Sequence, residues 1–174
     1  MSPLAVVNTG KWMPFDDAVG VGRVEVFYGP SGSSSYDVVN VDSGIVSHQC
    51  ARLQKAFELA GFAWPAMRIS VNVVPATMRG NYPDAPMALD MPIAIGILAV
   101  TDQIDTGSLA DICFVGAIGY DGHLQTEKND DMVTDVLVTL PGSRRRVVTP
   151  SHLGIVDATL ADVVSAPSSG RVLA

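Results

Sequence analysis

The stretch that decides the fold runs Asp42-Ser43-Gly44-Ile45-Val46-Ser47-His48-Gln49-Cys50-Ala51-Arg52-Leu53-Gln54-Lys55-Ala56-Phe57-Glu58-Leu59-Ala60-Gly61, and soon after it comes Arg68-Ile69-Ser70-Val71-Asn72-Val73-Val74. In the first segment Val46, Cys50, Leu53, Phe57 and Ala60 recur at steps of four and three, the period of one helical face. Asp42 or Ser43 can cap its first turn, and Gly61 can close it in a left-handed conformation. Arg52, Gln54, Lys55 and Glu58 fall mainly off that stripe and are expected in solvent. In the second segment Ile69, Val71 and Val73 alternate with Arg68, Ser70 and Asn72, which predicts a strand with one buried face. A helix leading into such a strand argues for an α/β arrangement.

Working outward, residues 24–28 and 36–41 are expected as strands that pair in a hairpin, joined by the Gly/Ser-rich run Gly29 to Ser35. Residues 1–22, broken by Pro3, Gly10, Pro14, Gly20 and Gly22, are expected to be irregular. Residues 75–86 hold four prolines or glycines and make a long loop, a kind that is often functional. Residues 87–100 form an apolar segment that reads as a buried helix, with Pro92 tolerated in its first turn. Ile112 to Ile118 is an expected strand, Tyr120 to His123 a tight turn, Asp130 to Val138 a helix, Arg146 to Val148 the last strand, and Leu153 to Val164 the last helix. From Ser165 the chain is expected to fray. The order is β-β-α-β-α-β-β-α-β-α, in one domain spanning 1–174.

The chain has 174 residues, 48% of them hydrophobic and 17% charged, with a net charge of −7. That composition excludes general disorder. Its acidity disfavours broad nucleic-acid binding, which needs a positive field. No apolar run approaches the roughly 20 residues of a membrane helix, and the N-terminus lacks the basic region of a signal peptide. A cytoplasmic setting is expected. Cys50 and Cys113 lie far apart in apolar patterns and are expected to be buried, reduced thiols. His48, His123 and His152 show no metal-ligand spacing. There is no phosphate-binding G-x-x-x-x-G-K-[ST] motif, no G-x-G-x-x-G after a strand, no H-E-x-x-H and no G-x-S-x-G. The acidic run Glu127 to Asp131 lacks the spacing of a calcium loop and reads as a solvated turn with a capping Asp. Arg144-Arg145-Arg146 is the only basic cluster; it can meet an acidic partner or guard a strand edge.

Residues 60–79, from Ala60-Gly61-Phe62-Ala63-Trp64-Pro65 through Arg68, Asn72 and Pro75 to Arg79, closely resemble a stretch of the magnesium-chelatase-like ComM/YifB family that reads G-F-x-x-P-x-x-R-I-x-V-N-x-x-P-A-x-x-R. Asp90-Met91-Pro92-Ile93-Ala94-Ile95-Gly96-Ile97-Leu98-Ala99 resembles that family's D-L-P-I-A-L-G-I-L-A. Gly116 to Leu124, with Asp121-Gly122 at its turn, resembles G-E-L-S-L-D-G-R-L. The chain departs at Ala117 and His123, where the family carries Glu and Arg, and at Asn40 to Ser43, where it reads G-L-P-D.

The resemblance implies a ChlI-type N-terminal domain, similar in fold to the Lon protease domain and to the second domain of ribosomal protein S-five. That is an α/β two-layer sandwich: a mixed sheet with helices on one side. Family members continue into an AAA+ ATPase motor, so the resemblance implies a domain encoded alone or cut from a longer chain. It implies a role in protein interaction or assembly, with an AAA+ ATPase partner or an oligomeric ring, and a link to DNA processing only through such a motor. ATP would belong to that partner, and no cofactor or metal to this chain. Lon-type enzymes use a Ser nucleophile and a Lys base. Gapless carry-over places the Ser near Ala88, between Met87 and Leu89, and the Lys near Asp131, with Lys128 close by. A base without a nucleophile does nothing, so catalysis is not expected. A divergent serine peptidase using Ser31 or Ser33, and a small-ligand binder with the 75–86 loop as a lid, are the alternatives. Arg79, Asp90 and the arginine cluster are the expected interaction residues. Asp90 can bind a cation or a partner's Arg, or simply favour its helix N-terminus, and Arg79 is its expected mate. Asn72 is expected to satisfy backbone groups beside the loop.

Overall fold

The computed structural model describes residues 4–13, 16–30, 34–78, 89–107, 109–127, 129–140 and 146–169, with side chains to residue 165. The chain forms strands β1 (Leu4–Met13), β2 (Ala18–Gly29) and β3 (Ser35–Val38), helix α1 (Ser43–Ala60), β4 (Arg68–Val74), and helix α2 (Asp90–Val100). Strands β5 (Ile112–Phe114), β6 (Ala117–Ile118) and β7 (Leu124–Gln125), helix α3 (Asp130–Thr139), β8 (Arg146–Val148), and helices α4 (Pro150–Leu153) and α5 (Leu160–Ser169) complete it. Six strands make one mixed sheet in the order β3-β4-β2-β1-β5-β8, while β6 and β7 form a separate hairpin. The β1–β2 and β2–β4 pairs are antiparallel. The β3–β4, β1–β5 and β5–β8 pairs are parallel. This is the mixed-sheet α/β sandwich that the resemblance implies, with one correction: the helices are not all on one side, because α3 covers the other face of the sheet.

α1 starts where its sequence says: the Asp42 carboxylate accepts from the Gly44 N–H, and Gly61 closes the helix at φ 82°. β4 buries Ile69, Val71 and Val73 on one side. α2 is buried along all eleven residues, so it is the centre of the core rather than a surface element. Each of its large apolar side chains gains about 1.5–3 kcal/mol on burial. α1, α2, α4 and α5 share one core with the faces of β1, β2 and β4 carrying Val7, Val24, Val26 and Val71. α3 packs on the opposite face, where Val133 and Leu137 meet Cys113, Val115 and Val147, with Trp12 and Val21 at the margin.

Several expectations are corrected. Residues 1–22 are not irregular: residues 4–13 and 18–22 belong to the longest hairpin of the sheet. Gly10, Gly20 and Gly22 sit there because neighbours come too close for a side chain. A Cβ on Gly22 would run into the Val74 carbonyl oxygen, and one on Gly10 would come within 3.2 Å of the Leu137 methyl groups. β2 and β3 do not form a hairpin; β3 instead pairs in parallel with β4. The stretch Ile112 to Ile118 is split between two sheets. At Gly116 between them, a Cβ would be 2.8 Å from the Pro150 ring. The last helix is two helices: Gly154, at φ 64°, ends α4, and α5 begins at Leu160 and runs through Ser169, past the expected start of fraying. The 75–86 loop is described only to Met78, in a short 3-10 turn that starts at Ala76 after a cis Val74–Pro75 bond.

Candidate functional site: a buried polar cluster at the start of α2

Asp90 opens α2 with no exposure at all. A carboxylate so placed requires donors on every side, and the fold supplies four. Arg52 donates from Nε to Oδ2 at 2.9 Å and from Nη2 to Oδ1 at 3.1 Å. Gln49 Nε2 donates to Oδ1 at 2.9 Å, and the Ile118 backbone N–H to Oδ2 at 3.3 Å. Gln49 in turn accepts from the Tyr36 hydroxyl at 2.7 Å. Arg52 lies under the exposed Tyr120 ring, 5.6 Å from its centroid, and the Tyr120 hydroxyl lies 3.3 Å from His48 Nδ1. The cluster thus ties β3 and α1 to the start of α2 and to the β6–β7 hairpin.

The local sequence explains the assembly. Gln49, Arg52 and Ala56 follow one another at steps of three and four along the edge of the α1 apolar stripe. Helix α2 needs an acceptor for its first free N–H groups, and the Gly116 carbonyl takes the Met91 N–H at 3.1 Å. The hairpin beyond turns at Asp121-Gly122. There the Asp121 carboxylate accepts the His123 N–H at 3.0 Å, and Gly122, at φ 86°, passes so close to the Lys55 carbonyl that a Cβ would be 2.9 Å away.

Burial pushes the Asp90 carboxyl up to about 6, against the lowering pull of Arg52, Gln49 and the Ile118 N–H. The pair is therefore ionised at neutral pH. Burial, the largest single influence, opposes the Arg52 charge as well, but the hydrogen bonds to Asp90, the charge of Asp90 and the Tyr120 hydroxyl together outweigh it and raise Arg52. The Tyr36 hydroxyl is raised well above its ordinary value by burial first and by Asp90 second. Every oxygen of Asp90 is engaged, so the cluster binds itself. Among the described residues there is no group of three or more His, Cys, Asp or Glu placed to hold a metal ion, and no helix is long and apolar enough to cross a membrane.

The expected site residues are scattered. Asp90 is sealed rather than offered to a partner or cation, and Arg52 holds it. Arg79, Arg144 and Arg145 lie outside the described residues, as do Lys128, Ala88, Ser31 and Ser33. Arg146 is exposed at the start of the edge strand β8. Arg68 is half-exposed, 3.7 Å from Asp37. Asn72 donates from Nδ2 across the sheet to Glu25 Oε1 at 2.9 Å. Gly61, Phe62 and Pro65 close the end of α1, where the Phe62 N–H reaches the Phe57 carbonyl and the Pro65 carbonyl accepts from Ser34. Pro92 is buried in the first turn of α2. Asp130 is not solvated: it accepts the Glu127 N–H at 2.9 Å, and burial raises it to about 6. Cys113 is buried, but Cys50 only partly.

The expectation missed Arg52 and Gln49. A signal existed: Asp90 is the one charge in an otherwise apolar segment, and a charge inside a core demands a buried counter-charge.

The family model described as "Subunit ChlI of Mg-chelatase" matches residues 24–151, well over half of the chain. The chain is 35% identical over 95 residues to competence protein ComM of Haemophilus influenzae, which covers 55% of the chain and 18% of that protein. It is 28% identical over 94 residues to the uncharacterized protein YifB of Escherichia coli K12, covering 54% and 18% respectively. The chain therefore spans less than a fifth of the length of the curated relatives it matches. On the strength of the family match, which takes in β3, α1, α2 and the β6–β7 hairpin that build the buried cluster, this chain belongs to the ChlI family of magnesium-chelatase-like domains.

Proposed function

We propose that this domain is a non-catalytic unit of protein interaction and assembly that works with an AAA+ ATPase in the cytoplasm, either bound to it or within a shared ring. ATP belongs to the partner in this reading; the chain itself takes no cofactor or metal and makes no direct contact with nucleic acid. One observation carries it. The polar centre at the start of α2 is closed on itself, with four donors on a carboxylate that has no exposure. A group so engaged has no free lone pair with which to accept a proton from a substrate. The position that the Lon resemblance would give to a nucleophile is occupied by Ala88, whose methyl cannot attack a carbonyl. What remains to act is the surface.

The test is an affinity capture of the tagged chain from its own cell lysate, with and without ATP, read by mass spectrometry. Enrichment of an AAA+ ATPase that responds to ATP is the expected result. Recovery of the bait alone contradicts it. Labelling of a serine in the folded chain by a serine-directed phosphonate contradicts the non-catalytic part and favours a peptidase. A rise in melting temperature with a metabolite favours a small-ligand binder.

A further inference from the structure

Among the described residues β3 is an edge of the six-stranded sheet, paired with β4 on one side. The Val39 N–H donates to the Val71 carbonyl at 2.9 Å, so by alternation along the strand Tyr36 and Val38 turn their N–H groups away from β4. On that outer side lies a groove of about 400 Å³ between β3 and α1. Val41, Val46 and Trp64 make its floor apolar, and Ser35, Ser47 and Gln54 stand on its rim. The Val38 carbonyl is taken by the Val41 N–H at 3.2 Å. By the same alternation the two outward N–H groups and the Tyr36 carbonyl face the side of β3 that β4 does not occupy, the side on which the groove-lining residues of α1 lie.

We propose that this groove takes an extended segment of a partner protein, added as an extra strand to the edge of β3. The inference rests on the interaction reading above and names where the contact is made. Main-chain hydrogen bonds to a sheet edge give affinity, and a groove beside the edge takes alternate side chains. Four residues of β3 at roughly 3.3 Å each offer about 13 Å of edge, enough for four or five residues of the guest. Charge sets its chemistry. Among the described residues no lysine or arginine lines the groove, and the one carboxylate there, Asp37, is held by Ser70 and Arg68. The chain as a whole carries −7. An acidic guest would find no counter-charge and would be repelled at longer range. The guest is therefore an alternating apolar segment, neutral or basic, without Asp or Glu.

The experiment pans a displayed library of random ten-residue peptides on the whole folded chain and measures the selected peptides by fluorescence polarisation. Two variants bear on the groove. Ser47→Arg fills it from the exposed face of α1 without touching the core, and Val38→Pro removes one outward N–H. Cys50 lines the groove, so its rate of reaction with a thiol reagent reports occupancy, and buried Cys113 does not interfere. The expected result is a set of peptides lacking acidic residues. They bind at least tenfold more weakly to Ser47→Arg, whose melting temperature stays at the wild-type value, and at saturation they slow the Cys50 reaction several-fold. Equal binding to Ser47→Arg, an unprotected Cys50, or a library that yields no binder overturns the proposal. So does a concentration-dependent dimer that Ser47→Arg abolishes, because the edge would then pair with a second copy. If Ser47→Arg captures the AAA+ ATPase as well as wild type does, the groove is wrong while the interaction reading stands. If neither captures it, that reading fails.

Discussion

Replacing Arg52 by Met keeps the apolar stem of the side chain but removes the guanidinium that faces Asp90. The carboxylate then sits with no exposure and no counter-charge. Breaking a buried pair in this way costs about 3–5 kcal/mol. Asp90 has one escape, which is to take up a proton. Holding a carboxyl of ordinary pKa 3.8 protonated at pH 7 costs about 4 kcal/mol, at roughly 1.4 kcal/mol per pH unit, so the two routes give the same magnitude. For a domain of this size that is a loss of about 10 °C in melting temperature. At pH 5 the protonation cost falls to about 2 kcal/mol; wild type, with Asp90 raised to about 6, itself gains about 1 kcal/mol over the same range, so the variant recovers about a third of its deficit on acidification. Urea denaturation followed by circular dichroism at both pH values measures this. Asp90→Asn strands the buried guanidinium and is expected to lose a similar amount. In the double variant the loss falls short of the sum of the single ones by about 2 kcal/mol, because the partners share one interaction. An Arg52→Met variant that melts within a degree or two of wild type at pH 7, or three variants that add without coupling, would refute the reasoning.

Burial raises Asp130 to about 6. A carboxyl raised in the folded state contributes stability that is complete below its unfolded value of 3.8 and is lost as pH rises through about 6. Wild type should therefore lose about 1 kcal/mol relative to Asp130→Asn between pH 5 and pH 7, as read from paired urea titrations; a difference that does not change with pH contradicts this. Gly96→Ala gains about 1 kcal/mol of helix propensity, but its Cβ would meet the buried Val26 methyl group. Overpacking of about 1–3 kcal/mol should win, giving a net loss in thermal denaturation, and a net gain would show that β2 yields. Asp42→Ala removes the acceptor of the Gly44 N–H at the start of α1 and should cost about 1 kcal/mol, measured in the same way. In the folded chain a thiol reagent should modify Cys50 and leave Cys113 untouched until denaturant is added. Equal rates for the two would contradict the burial difference.

What the sequence revealed depended on whether a residue's role was local. α1 was legible because its stripe, its Asp42 cap and its Gly61 stop all lie within twenty residues and agree. β4 was legible from alternation, and α2 from an apolar run with proline in its first turn. β1 was not, because the glycines at 10, 20 and 22 count as breakers in a local reading; their reason for being there is how close Val74 and Leu137 come, which is tertiary. The partner of β3 escaped for the same reason, since a parallel pairing with β4 leaves no turn signal between the strands. The site divided likewise. Asp90 was singled out from its position, but its mate was sought in Arg79, eleven residues away, when it lay in Arg52, 38 residues away on another helix. Arg52 reads as a surface residue because it flanks the stripe, and only the approach of α2 turns that flank inward.

The central claim is that the Asp90–Arg52 cluster holds the domain together while the surface does its work. The most direct measurement captures partners from lysate with the Arg52→Met/Asp90→Asn double variant, at a temperature where circular dichroism shows it folded, beside wild type. The account predicts the same AAA+ ATPase at the same yield. A folded double variant that has lost the partner would contradict it, because the cluster would then act on the partner itself.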